Sequence, residues 1–147
     1  MNGFQWFLTA LNNSFKFSGR ARRAEFAWFT LIATIISIPI SLLSTGLPKI
    51  LDLLINIIYL IPSTSVTTRR LHDLGYSGWL QTPFTLLGVY FIFAEPPEAM
   101  TNNEVYGYFL IILISLSFLL YLVFKDGQRK DNAYGKDPKG ELEKINN

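Results

Sequence analysis

The chain has no cysteine and a single histidine, His72. Without cysteine there can be no disulfide framework, thiolate metal site or thiol nucleophile. One imidazole excludes paired-histidine metal motifs, and the sequence contains no HExxH, Walker or nucleophile-elbow pattern. No metal and no cofactor are expected. Charge is also scarce: Asp, Glu, Lys and Arg make up 16% of the 147 residues, against about 25% in an ordinary soluble domain. The thirteen basic and eleven acidic residues leave a net +2, too balanced for a nucleic-acid-binding surface. The first fifteen residues are uncharged, which does not fit the charged start of a secretory signal. The first apolar run is therefore expected to stay in the protein.

Apolar sequence is abundant. Hydrophobic residues form 50% of the chain and gather in four runs, at about 26–43, 47–66, 79–94 and 106–124. Each approaches the roughly 20 helical residues that cross a 30 Å hydrocarbon core. The pieces between them are far below the roughly 50 residues of an independent domain, which excludes a separate soluble catalytic domain. The expected fold is all-α: a membrane domain over 1–124 with four transmembrane helices, then a polar cytoplasmic tail over 125–147. Basic residues set the orientation. Lys16, Arg20, Arg22 and Arg23 precede the first run, Arg69 and Arg70 separate the second and third, and six more follow the fourth. Only Lys49 falls in the other compartment, and the 95–105 loop carries Glu95, Glu98 and Glu104 with no Lys or Arg. Both termini are expected in the cytoplasm.

Local patterns add detail. Phe4, Phe7, Leu8, Leu11 and Phe15 share one helical face before the first run. They predict an interfacial amphipathic helix in the headgroup plane. Pro39 and Pro62 should kink the first two spans. Ser63, Thr64, Ser65, Thr67 and Thr68 follow Pro62 directly and can bond back to the backbone or admit a close helix; a polar substrate path is the sharper reading of the same hydroxyls. Gly75 is placed to cap the second span and Ser77 to cap the next.

Two charged segments stand at the inner ends of the spans: Phe17-Ser18-Gly19-Arg20-Ala21-Arg22-Arg23-Ala24-Glu25 and Arg69-Arg70-Leu71-His72-Asp73. Helical spacing predicts an Arg22–Glu25 pair and an Arg69–Asp73 pair. Arginine forks of this kind recognise phosphate or carboxylate, while arginines at cytoplasmic helix ends also simply set topology. With Trp28 just behind, and with Pro62 and Pro83 flanking, these segments resemble domain-of-unknown-function family 805, the YhaH/YhaI-like bacterial inner-membrane proteins. Arg69 to Gly75 followed by Ser77-Gly78-Trp79 is similar to that family's central motif. Asn132-Ala133-Tyr134-Gly135-Lys136-Asp137-Pro138 is similar to its terminal element. Ala27 and Leu80 stand where the family often has aromatics. The resemblance implies a small multi-pass protein of the bacterial inner membrane and implies no activity.

On this topology all three segments lie on the cytoplasmic face. Arg20, Arg23, Glu25, Arg69, Arg70, His72 and Asp73 are expected to form one site for an anionic lipid headgroup or a partner protein, with Tyr134 and Asp137 folding back over it. The four arginines would converge on one anionic group. His72 would act as a base or as a hydrogen-bonded structural residue. Binding needs only features that are present. The alternatives are a subunit of an oligomeric transporter or channel, which lacks a midplane carboxylate, and a membrane-embedded hydrolase or transferase, which lacks a recognisable catalytic motif.

Overall fold

Every regular element among the described residues is helical, and most boundaries have a local cause. The computed structural model describes residues 1–44, 48–94 and 99–140. The expected Glu95, Pro96, Pro97 and Glu98 of the outer loop, Leu47, and the tail beyond residue 140 lie outside the described residues, as do the side chains of Lys49 and Asp52.

Helix α1 (Gly3–Asn12) opens on a capping box, in which Asn2 and Gln5 each accept the other's backbone N–H at 2.9 Å. It packs on α2 (Arg23–Ser44) through Phe7, whose ring stacks on Phe29 at 5.9 Å. Gly3 lies against the Trp28 indole so closely that a Cβ there would come within 2.5 Å of the ring. The apolar stripe of α1 is wider than its neighbour. Phe7 and Ala10 are buried and Phe4 is 59% exposed; the helix ends at Asn12 in a turn, so Phe15, expected on the same face, lies beyond it and is 81% exposed.

Helix α3 (Lys49–Asp73) is 25 residues long and runs through Pro62 into the charged motif. The hydroxyls after the proline turn back onto their own helix. Ser63 donates to the Leu60 carbonyl at 2.9 Å, Thr64 to Leu60 at 2.8 Å, Thr67 to Ser63 at 2.7 Å and Thr68 to Thr64 at 2.9 Å. Ser65 differs. It is fully buried and donates to the carbonyls of Asn13 at 2.9 Å and Lys16 at 2.8 Å, closing the end of α1. Gly75, at φ 86°, then ends α3. The N–H of Tyr76 reaches the Leu71 carbonyl and that of Gly75 reaches His72, which is a Schellman arrangement. Ser77 caps a 3-10 turn (Gly78–Gln81) that leads into α4 (Thr82–Phe93).

Helix α5 (Asn102–Phe124) begins four residues before the apolar run, because Thr101 and Glu104 form a capping box. Among the described residues, two helical stretches are long and apolar enough to cross a membrane, Arg23–Ile40 in α2 and Asn102–Phe124 in α5. Helix α4, with twelve residues, measures about 18 Å at 1.5 Å per residue, short of the hydrocarbon core.

The core sits at one end. Phe7, Ala10, Ala21, Phe26, Phe29, Val66, Leu71, Leu74 and Leu122 bury one another where α1, the start of α2, the end of α3 and the end of α5 meet. Away from it, apolar side chains face outward: Phe109, Ile112, Leu113 and Ile114 of α5 are exposed, and Leu122 is the one residue of that helix fully buried. In water this surface would be an aggregation hazard; in a bilayer it is lipid contact.

Ser65→Leu should disrupt the α1–α3 contact. It overpacks a fully buried position and abandons two carbonyls, a cost of about 1–3 kcal/mol from overpacking alone. Thermal unfolding in detergent should show a clear loss for Ser65→Leu and almost none for Leu54→Ile, whose side chain is exposed.

Candidate functional site

Four consecutive positions at the end of α3 point in different directions, because each residue advances about 100° around a helix. Arg70 turns to α5. Its side chain is completely buried, and its three nitrogens serve three acceptors. Nε donates to the Leu122 carbonyl at 2.8 Å, Nη1 to Asp73 Oδ2 at 2.6 Å and Nη2 to the Lys125 carbonyl. The last carbonyls of a helix have no intrahelical partner, and α5 has no basic residue of its own in its last turn. Arg70 supplies the missing donors and a positive charge at the negative end of the helix dipole.

Arg20, on the segment before α2, completes this group. Its Nε meets Asp73 Oδ1 at 3.0 Å, Nη1 donates to the Lys130 carbonyl at 2.7 Å, and Nη2 donates to the Gln128 carbonyl. Asp73 is thus held between two guanidiniums. Burial pushes the Arg70 guanidinium down from its usual value and the Asp73 carboxyl up, while the charges of Arg70 and Asp73 oppose each other's shift. Gly127 lies directly against this carboxylate, since a Cβ there would come within 1.8 Å of Asp73 Oδ2.

Arg69 faces α2. Its Nη1 binds Glu25 Oε1, both side chains are buried, and its backbone carbonyl accepts the Ala21 N–H at 2.9 Å. Its Nε and Nη2 are buried with no hydrogen-bond partner. Both expected local pairs therefore give way to other partners, tertiary for Glu25 and both local and tertiary for Asp73. Glu25 takes Arg69 instead of Arg22, whose guanidinium lies 5.9 Å over the Trp6 ring; Asp73 takes Arg70 and Arg20 instead of Arg69.

His72 turns to a third side. Its Nδ1 is 3.1 Å from the Gly19 carbonyl, which fits a donated proton there, and its ring stacks on Tyr134 with centroids 3.9 Å apart. With Thr68, Ser77, Gly78, Trp79 and Tyr134 it lines a cavity of about 600 Å³. The described groups against the imidazole are the Gly19 carbonyl and the Tyr134 ring, surroundings that support the structural reading of His72.

The tail docks over this end. Asn132 donates to the His72 carbonyl at 3.0 Å, and its Oδ1 accepts the Tyr134 N–H at 2.9 Å. Gly135, at φ 138°, closes the turn. Tyr134 does fold back. Asp137 stays within the tail, where it accepts the Lys139 N–H at 2.9 Å. Arg23 is half exposed and pairs with Asp126 at 3.3 Å, and the charges of both act on Arg70; together with Lys139 it holds the Asp126 carboxyl below the usual range.

The expected set thus resolves into three groups. Arg20, Arg70 and Asp73 come together; Glu25 and Arg69 form a second buried pair; His72 belongs with Gly19 and Tyr134. Sequence reading missed Gly127 and the carbonyls of Leu122, Lys125, Gln128 and Lys130. Backbone acceptors leave no mark in side-chain identity, and a glycine one residue after Asp126 was the only available signal.

Apolar helices that turn their side chains outward from a charged and capped end define a helical membrane protein. The chain belongs to the family described as "Protein of unknown function (DUF805)", which it matches over residues 14–136. It is 32% identical to the "Inner membrane protein YhaI" of Escherichia coli (strain K12) over 139 residues, 92% of this chain and 96% of that protein. It is 29% identical to the "Inner membrane protein YhaH" of the same strain over 141 residues, 91% of this chain and 96% of the other. No solved structure matches.

Gly127→Ala should drive a methyl group into the Asp73 carboxylate and cost about 1–3 kcal/mol, as overpacking does. Gly107→Ala, where a Cβ meets nothing within 4 Å inside α5, should be neutral or stabilising by roughly 0.5–1 kcal/mol. Thermal melts of the two variants in one detergent check the contrast.

Proposed function

We propose that this chain is a four-span protein of the bacterial inner membrane, with both termini in the cytoplasm, that binds an anionic lipid headgroup at its charged end. The observation that carries the binding is a count of charge. Among the described residues, three buried guanidiniums (Arg20, Arg69 and Arg70) face two buried carboxylates, Glu25 and Asp73. One positive charge remains uncompensated in a desolvated place, where an isolated charge is costly. An anion relieves that cost. In this reading Arg20, Arg70 and Asp73 hold the platform, His72 with Tyr134 seats the tail on it, and exposed Arg23 meets the membrane surface. An acidic group on a partner protein is the second possible source of the anion.

Connectivity supports the four spans. The ends of α3 and α5 meet at Arg70, so the chain between them has to leave that end and come back. The 3-10 turn and α4 carry it away and α5 returns it. The turn adds about 8 Å at roughly 2.0 Å per residue to the 18 Å of α4. The same contact supports a division at about 124, with residues 1–124 as the membrane domain and the tail as a docked cap.

The chain has no cysteine, so single-cysteine variants give clean labels. An impermeant thiol reagent on intact cells whose inner membrane is exposed should label Asn102→Cys and leave Ser14→Cys and Lys136→Cys untouched until the membrane is opened. The reverse pattern would invert the orientation. Native mass spectrometry of the detergent-extracted protein should show an anionic phospholipid retained in preference to a zwitterionic one. Retention regardless of headgroup charge would defeat the binding reading.

A further inference from the structure

Arg69 has a feature that the cluster around it does not explain. Its Nη1 is occupied by Glu25, and the two nitrogens left without partners, Nε and Nη2, are the pair that form one edge of the guanidinium fork. That edge presents two parallel N–H groups at the spacing of two oxygens on a single phosphorus or carbon. The side chain is 96% buried, so bulk water does not satisfy them. Leaving two charged donors unmet forfeits their hydration with nothing in return. Arg20 and Arg70 show how this chain treats its other buried guanidiniums: every nitrogen of each has an acceptor.

The cover over this face favours an anion. One turn before Arg69, Ser65 holds the carbonyls of Asn13 and Lys16, and Ala21 donates to the Arg69 carbonyl. The backbone from 13 to 21 is thereby tied to the same side of α3. That segment contains Lys16 and Arg20 and no acidic residue, and Arg22 follows it. The Glu25 carboxylate is committed to Nη1 and fixes the fork without filling it.

We infer that Nε and Nη2 of Arg69 form a buried site for one phosphate-type oxyanion, supplied by a phospholipid's phosphodiester or by free phosphate. The site rests on the anion-binding reading above and gives it an atomic location. One oxyanion there satisfies both donors, which the Glu25 carboxylate on Nη1 leaves unmet. Lysine cannot reproduce the contact, because a single ammonium lacks the fork.

The test uses the full chain in an uncharged detergent with two probes, inorganic phosphate against chloride at equal ionic strength, and phosphatidylglycerol against phosphatidylcholine. Thermal shift reads the first and native mass spectrometry the second. Wild type should bind one oxyanion per chain saturably, and Arg69→Lys should weaken this roughly tenfold to a hundredfold, the equivalent of a lost charged hydrogen bond or two. Lys136→Arg, at an exposed tail position, should bind as wild type does. Glu25→Gln keeps an acceptor for Nη1 and removes the competing negative charge, so it should bind more tightly; this arm decides the matter if Arg69→Lys does not fold. Phosphate binding without retention of phosphatidylglycerol supports the site with free oxyanion as its source and removes the lipid reading. Retention of phosphatidylglycerol that neither Arg69→Lys nor Glu25→Gln changes overturns the site and leaves the lipid reading standing. No preference for either probe in wild type overturns both.

Discussion

The bond between one arginine and the end of another helix organises this protein. Arg70 is anchored on α3, yet the groups it satisfies belong to α5 and to the residue that ends it. A helix end buried among apolar side chains needs donors for its last carbonyls. Because Arg70 provides them from across the bundle, α3 and α5 are fixed end to end and in rotation. Asp73 holds the guanidinium in place and recruits Arg20, and Arg20 in turn gathers the tail. The apolar core is packed around this point and thins out away from it, where lipid takes the place of protein.

Charged groups this deep are easier to understand as connectors than as anchors. Topology alone asks for basic residues near the membrane surface, where long side chains reach water. Here three guanidiniums are withdrawn from water, and four of their nine nitrogens are spent on backbone carbonyls. A carbonyl carries no net charge, so such bonds consume donor capacity without cancelling positive charge. This is the physical origin of the excess positive charge that Arg20 and Arg70 leave over Asp73.

Much of the local structure was legible in the residues. The Gly75 cap, the Ser77 cap, the back-bonding hydroxyls after Pro62 and the helix before Arg20 each follow from short-range chemistry, and each is present. The family resemblance likewise rested on motifs that were contiguous. What was not legible was pairing. Helical spacing offered Arg22 to Glu25 and Arg69 to Asp73; Glu25 instead takes a partner 44 residues away, and Asp73 takes Arg70 on its own helix and a second partner 53 residues away. The expected convergence of four arginines failed for a related reason: Arg69 and Arg70 are neighbours in sequence and therefore diverge on a helix. The start of α5 was misplaced because Thr101 and Glu104 are polar, so hydropathy ended the span where the capping box extends it.

The reach of Arg20 has a consequence for how the protein is made. Its acceptors on the tail lie 108 and 110 residues downstream, so during synthesis it waits through nearly the entire translation of the chain. Until α5 and the segment behind it emerge, Arg20 and Arg70 have Asp73 but not their carbonyl acceptors, and the charged end stays open. Closure is the last event, and it is made by main-chain atoms whose presence does not depend on which side chains the tail carries. A ribosome that stops early leaves an inserted but unlatched bundle, its guanidiniums exposed to whatever monitors the membrane for unfinished proteins.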